Sequence, residues 1–241
     1  MPLKAVLFDL WGTLFFPSVS LEEYVRYRAK LLHEGLKKRG FNFNEKEVYE
    51  ALTRSREICD VIREVTLREV TVEMEVMMFL KEISVPISRI NKDMITYLSD
   101  IYMKPYLTLT KPVKGLTKLF RAITNMGIKV AIVSNTMKGS ATRELIKKHG
   151  LERYISAYAL SDEVCYRKPH PIIFNIALKE LQTPPSQALM VGDEECDMKG
   201  ASKLGIKTAL FSGFKKQEYK GKYREVSNVD QLVSLIRKLS L

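Results

Sequence analysis

Cysteine is sparse in this chain: Cys59, Cys165 and Cys196 are odd in number, widely spaced and without a C-x-x-C pair. That pattern argues against both a disulfide framework and a zinc site, and it points to a reducing, cytoplasmic compartment. Long apolar runs are missing too. The first, Ala5-Val6-Leu7-Phe8, is broken by Asp9 after four residues, too short for a signal peptide or a membrane span, so no membrane partner is expected. Glutamine occurs only at 182, 187, 217 and 231 while Lys and Glu are plentiful, a bias compatible with a thermophilic source. Repeats and low-complexity tracts are absent. Acids are outnumbered, Asp+Glu 28 against Lys+Arg 39, and the resulting +11 raises nucleic acid, anionic membrane and small anionic substrates as partners without choosing among them.

What is present suits an ordinary globular protein of one large or two modest domains, with 46% hydrophobic residues to build a core. The run Ala5–Phe8, followed by Asp9 and the turn-forming Gly12, reads as a strand buried on both faces with an acid at its tip. Residues 16–107 then carry only helical spacing. Ser20-Leu-Glu-Glu23 is a capping box before Leu21, Tyr24, Val25, Arg28 (stem only), Leu31, Leu32 and Leu36, with Gly40 as the stop. Asn44-Glu-Lys-Glu47 opens a second helix, Thr71 a third through Val76 and Phe79, and Ser88 a fourth through Met94 and Ile101. Four amphipathic helices make a bundle of their own. Arg26, Arg28, Lys30, Lys37, Lys38 and Arg39 are read mostly on its solvated side, and Met74, Met77, Met78 and Phe79 as core packing.

Pro105 and Pro112 mark the return to a second pattern over residues 108–241, where helices alternate with strands. Helices are expected at 113–126, 140–149, 171–181, 195–204 and, capped by Asn228, at the C-terminus; strands are expected at 129–134, 157–160, 188–192 and 207–211. Together with residues 1–15 this predicts a doubly wound α/β domain with a parallel, Rossmann-like sheet, interrupted after its first strand by an all-helical cap domain. Phe214 to Arg224 interleaves aromatics with cations and could stack single-stranded nucleic acid. A basic surface loop is the preferred reading, and nucleic acid is not an expected partner.

Four short stretches fall at strand ends or loops: Phe8-Asp9-Leu10-Trp11-Gly12-Thr13, Val133-Ser134-Asn135-Thr136, Arg167-Lys168-Pro169, and Gly192-Asp193-Glu-Glu-Cys-Asp197. Singly, each has a bland explanation, such as a loop cap at Asp9, an exposed Lys-Pro, or a Gly-Asp turn. In this order they resemble the four motifs of the haloacid dehalogenase superfamily. The resemblance implies Asp9 as nucleophile, Ser134 as a hydrogen-bond donor to the phosphoryl group and Lys168 as the neutralising cation. It implies further that Asp9, Asp193 and the carbonyl of Trp11 hold Mg²⁺, that Trp11, Gly12, Thr13 and Asn135 bind the substrate, and that Asp197 orients Lys168 or a water. The helical insertion would act as a lid.

One position departs from the pattern. Phosphatases of the superfamily usually carry a second Asp two residues after the first, where this chain has Trp11, and indole cannot act as a general acid. The superfamily's 2-haloacid dehalogenases carry Tyr there; halide leaves without a proton, but those enzymes use no metal and lack the paired acids of the fourth motif. The preferred reading is therefore a Mg²⁺-dependent phosphatase that acts on a small phosphate ester or acyl phosphate through an aspartyl-phosphate. A metal-independent 2-haloacid dehalogenase is the alternative, and a non-catalytic phosphate-binding module is the third. Oligomeric state leaves no mark in the sequence.

Overall fold

A computed structural model describes residues 1–214 and 223–241. The chain divides into two compact units, Met1–Phe16 with Lys111–Leu241, and Pro17–Thr110. The first is doubly wound α/β. Strand β1 (Ala5–Phe8) has all four residues fully buried, because helices cover both faces of the sheet. Strands β2 (Phe15–Pro17) and β3 (Thr110–Pro112) pair as a two-stranded ribbon where the chain leaves and re-enters this unit.

The main sheet adds β4 (Lys129–Ser134), β5 (Ala157–Leu160), β6 (Ala188–Gly192), β7 (Lys207–Phe211) and β8 (Glu225–Val226). Its order is β5-β4-β1-β6-β7-β8, with every pairing parallel. The winding therefore reverses at β1, and at such a switch point the carboxyl ends of the strands open a crevice. Register places Phe8 beside Ile132 and Val191, so Asp9 emerges level with the ends of β4 and β6.

Successive side chains of β1 point to opposite faces. Leu7 packs with Ala131, Val133 and Met190 against Ile173, Phe174 and Ala177 of a helix at Pro171–Leu181. Phe8 meets Phe120 of a helix at Leu116–Asn125, ring centroids 5.7 Å apart. Most expected strands match the observed ones residue for residue. The helix expected from Val113 starts instead at Leu116, since Gly115, in the left-handed region at φ +87°, turns the chain into it. The short helix Ser161–Val164 and strand β8 were not foreseen. The basic run expected between Phe214 and Arg224 falls on 215–222, outside the described residues.

The second unit holds four helices, α1 (Leu21–Lys38), α2 (Glu45–Thr66), α3 (Val72–Glu82) and α4 (Lys92–Thr108). The Ser20 and Asn44 capping boxes both form. Ser88 does not start the fourth helix. It lies in a 3-10 turn, and Asn91 caps α4 through Met94 N at 2.9 Å. Pro105 lies inside α4 near its end, where its missing N–H forgoes a single helical bond. Met74 and Met77 are exposed rather than packed in the bundle.

Arg28 is buried, not solvated. Its guanidinium lies over the rings of Tyr24 and Tyr102, 5.0 and 4.1 Å from their centroids, and Nε donates to Tyr102 O at 3.0 Å. Arg63 is buried as well and pairs with Asp60 at 2.7 Å, Glu69 at 3.1 Å and Glu75 at 2.5 Å, while Tyr102 donates to Glu75 from its hydroxyl. Glu69 and Glu75 are almost wholly buried, so removing their common partner takes the nearest cation from two buried charges and leaves Glu75 with Arg56 at 3.8 Å. Arg63→Ala is expected to cost about 3–5 kcal/mol, read as a lowered midpoint in chemical denaturation; a loss below about 1 kcal/mol would show that the acids are satisfied without it.

Candidate active site

Asp9 follows β1 directly, and its N–H donates to Val191 O on β6 at 2.9 Å. The chain then doubles back. Leu10 O accepts from the N–H groups of Leu14 and Phe15, each at 2.9 Å, and Gly12 N donates to Phe15 O at 2.7 Å. Gly12 takes φ +90°, and a Cβ there would overlap the carboxylate of Asp193. Both the turn and the nearby acid therefore demand glycine. Gly192 is constrained likewise, since a Cβ would overlap Asp197.

Three carboxylates converge on this turn. Asp9, Asp193 and Asp197 each offer an oxygen within 4.8 Å of the others. Thr13, buried in the turn, donates to Asp193 Oδ1 at 2.9 Å and reaches toward Asp9 Oδ2 at 3.5 Å. Asp197 sits in the first turn of a helix at Glu195–Ser202, where its Oδ2 accepts from Glu194 N at 3.1 Å. Lys168, 4% exposed, lies between two of the acids: Nζ is 2.5 Å from Asp9 Oδ1 and 2.6 Å from Asp197 Oδ1.

Ser134 ends β4, buried, and among the described residues its hydroxyl makes no hydrogen bond. Asn135 reaches the loop that carries Lys168. Its Oδ1 accepts from Lys168 N at 2.7 Å and its Nδ2 donates to Lys168 O at 3.3 Å, so the amide ties the two loops together. Trp11 is half-buried and bridges to Phe15 within the turn. Two residues that sequence reasoning missed brace the loop after β4. Ser161 Oγ accepts from Thr136 N at 2.8 Å, and Asp162 Oδ2 accepts from Gly139 N at 2.7 Å. No sequence pattern marks either, because both act across more than twenty residues.

Burial dominates the electrostatics. It raises the Asp9 carboxyl above its ordinary value, with Lys168 pulling the other way. Burial, then the charges of Asp9 and Asp197, push Asp193 up to about 8; burial pushes Asp197 up to about 7 against the pull of Lys168. For Lys168 burial alone would lower the ammonium, yet Asp197 and Asp9 together carry it well above the usual lysine range. Such a cluster suits a hard divalent cation, for which crowded carboxylate oxygens are the preferred donors.

A model of the haloacid dehalogenase-like hydrolase family matches residues 6–211, and the chain belongs to that family of hydrolases. It is similar to the glyceraldehyde 3-phosphate phosphatase of Methanopyrus kandleri, 24% identical over a 251-residue alignment that covers 99% of each chain. It is also similar to the ribulose-1,5-bisphosphate 5-phosphatase of Halopiger xanaduensis, 32% identical over 117 residues; that match spans 47% of this chain and 48% of the relative, about half of its length. Among solved structures, a 2-haloacid dehalogenase from Pseudomonas syringae superposes with a TM-score of 0.72 at 16% identity, over 98% of this chain and 99% of that one. A shared fold across dehalogenase and phosphatase relatives leaves the chemistry to the site.

The raised carboxyls link stability to pH. Asp193 and Asp197 hold protons in the folded state up to about 8 and 7, against 3.8 when unfolded, so unfolding releases protons between those values. Their contribution to stability is full below about pH 4 and is lost as pH rises through 7 to 8, while Lys168 stays charged throughout. In chelator, the melting temperature is expected to fall from pH 5 to pH 8.5, and added Mg²⁺ to restore most at the alkaline end. A melting temperature that rises over that range would contradict the assignment.

Proposed function

We propose that the chain is a Mg²⁺-dependent phosphatase that transfers a phosphoryl group from a small anionic substrate to Asp9 and then to water. The observation that carries this reading is the convergence of Asp193 and Asp197 on Asp9, with Lys168 between. A carboxylate attacks a phosphate ester only when the repulsion between two anions is neutralised. Asp9, Asp193 and the carbonyl of Trp11 would hold Mg²⁺, which supplies that neutralisation when bound. Both curated relatives carry phosphatase names, one for glyceraldehyde 3-phosphate and one for ribulose bisphosphate, which supports a small phosphorylated substrate.

In the forward step an Asp9 oxygen bonds to phosphorus as the bond to the leaving oxygen breaks. Lys168 places its ammonium on the nucleophile's flank and Asp197 keeps it there. The free hydroxyl of Ser134 and the N–H groups of the turn at 11–13 serve the phosphoryl oxygens. Hydrolysis of the aspartyl-phosphate by water returns the carboxylate.

Trp11 shapes the substrate range. It supplies no proton to a departing alkoxide, and a missing general acid costs about 10² to 10⁴ in rate. Leaving groups that depart as stable anions, such as phenolates and carboxylates, escape most of that loss. The dehalogenase alternative draws on the same residue, since halide needs no proton.

With p-nitrophenyl phosphate, release is expected to require Mg²⁺, to stop with chelator, and to fall at least 10³-fold in Asp9→Asn. Chloride release from a 2-chloro acid, undiminished by chelator, would favour the dehalogenase instead; no turnover of either above Asp9→Asn would favour a binding module. Replacing Trp11 with Asp is expected to raise turnover of alkyl phosphates at least tenfold relative to aryl phosphates. An unchanged ratio would remove Trp11 from the account of leaving groups.

A further inference from the structure

Lys168 is held at two ends by different means. Its ammonium is drawn to Asp9 and Asp197, but its peptide unit is gripped by Asn135, which accepts from Lys168 N and donates to Lys168 O across 33 residues of chain. Asn135 is itself anchored on both sides. Ser134 before it closes β4; Thr136 after it donates its N–H to Ser161 Oγ at 2.8 Å, and its carbonyl accepts from the same hydroxyl at 3.1 Å. Thr142 adds a bond from Oγ1 to Thr136 Oγ1 at 3.1 Å. The amide of Asn135 thus projects from a braced strand end onto the loop that carries the cation.

We propose that Asn135 is a positioning residue, which sets Lys168 in the same frame as Ser134 so that cation and hydroxyl address one phosphoryl group. This rests on the phosphatase reading. The grip matters most once Asp9 carries the phosphoryl group. Phosphorylation replaces the carboxylate charge beside Nζ with that of the phosphoryl oxygens, which lie elsewhere, so Asp197 and the Asn135 grip are what keep the ammonium at its original position while water attacks. Ground-state binding needs the grip less, because the ionised Asp9 is then present to draw the ammonium in. The effect therefore falls on turnover rather than on affinity, and misplacing a catalytic group by about 1 Å can cost on the order of 10²-fold.

Three variants test this: Asn135→Ala, Asn135→Asp, which keeps the acceptor for Lys168 N, and Ser161→Ala, which weakens the same loop without touching Lys168. Steady-state kinetics with Mg²⁺ are paired with acetylation of Lys168 by acetic anhydride, mapped by mass spectrometry on the folded protein. Asn135→Ala is expected to lower kcat about 10- to 100-fold with KM within about threefold, and to speed Lys168 acetylation at least fivefold. Asn135→Asp should lie between it and the parent, while Ser161→Ala, which loosens the anchor but leaves the grip on Lys168 in place, should change both readouts clearly less than Asn135→Ala does even if its melting temperature falls. The proposal is overturned if Asn135→Ala keeps kcat within twofold, leaves Lys168 protected, or is matched by Ser161→Ala. If the parent protein releases no phosphate, the phosphatase reading fails, and acetylation alone then decides whether Asn135 holds Lys168.

Discussion

An ammonium group buried between two carboxylates is the interaction on which this site depends. Lys168 could not remain charged at 4% exposure without Asp9 and Asp197, and those acids could not share so small a volume without it. Each member of the trio comes from a different part of the sheet's rim: Asp9 from the tip of β1, Lys168 from the loop before Pro171–Leu181, Asp197 from the helix after β6. The doubly wound topology is what brings them together, because reversal of winding at β1 leaves the strand ends on either side free to converge. The carboxyl of Asp193 is pushed up to about 8 and that of Asp197 to about 7, both toward neutrality, by burial first. With three carboxylates around one ammonium, the ionised site is two charges short of balance, a condition that favours a divalent cation.

The two glycines show how closely the backbone is drawn around this charge. At Gly12 and Gly192 even a methyl group would collide with a carboxylate, so the acids lie against main chain rather than against side chains. Peptide N–H groups then contribute to their solvation without the reorganisation that water would need. Trp11 lies in the same turn, half-buried, and its indole offers no acidic proton.

Much of the architecture was legible because it is local. Strand ends could be read where an apolar run stops at Asp9, Ser134 or Gly192, and helix starts where Ser20, Asn44 and Asn228 offer an oxygen to the third N–H that follows. Where two capping residues compete, as with Ser88 and Asn91, spacing cannot choose: Ser88 falls inside a 3-10 turn at Ile87–Arg89, and Asn91 caps α4. The grip of Asn135 on Lys168 and the burial of Arg28 and Arg63 were illegible for the same reason. Each depends on partners far along the chain, and a polar side chain in a helical pattern reads as solvated until its partners are known.

The placement of β1 at the centre of the sheet also bears on how the chain comes to be folded. Its neighbours are residues 129–132 and 188–191, so the first strand synthesised must wait for more than a hundred residues before either edge is paired. The helices at 21–108 close through nearer contacts and can form during that interval. A nascent chain therefore carries β1 as an unpaired, wholly apolar strand ahead of the insertion while the insertion matures, and the period of greatest exposure to aggregation falls before β4 emerges from the ribosome.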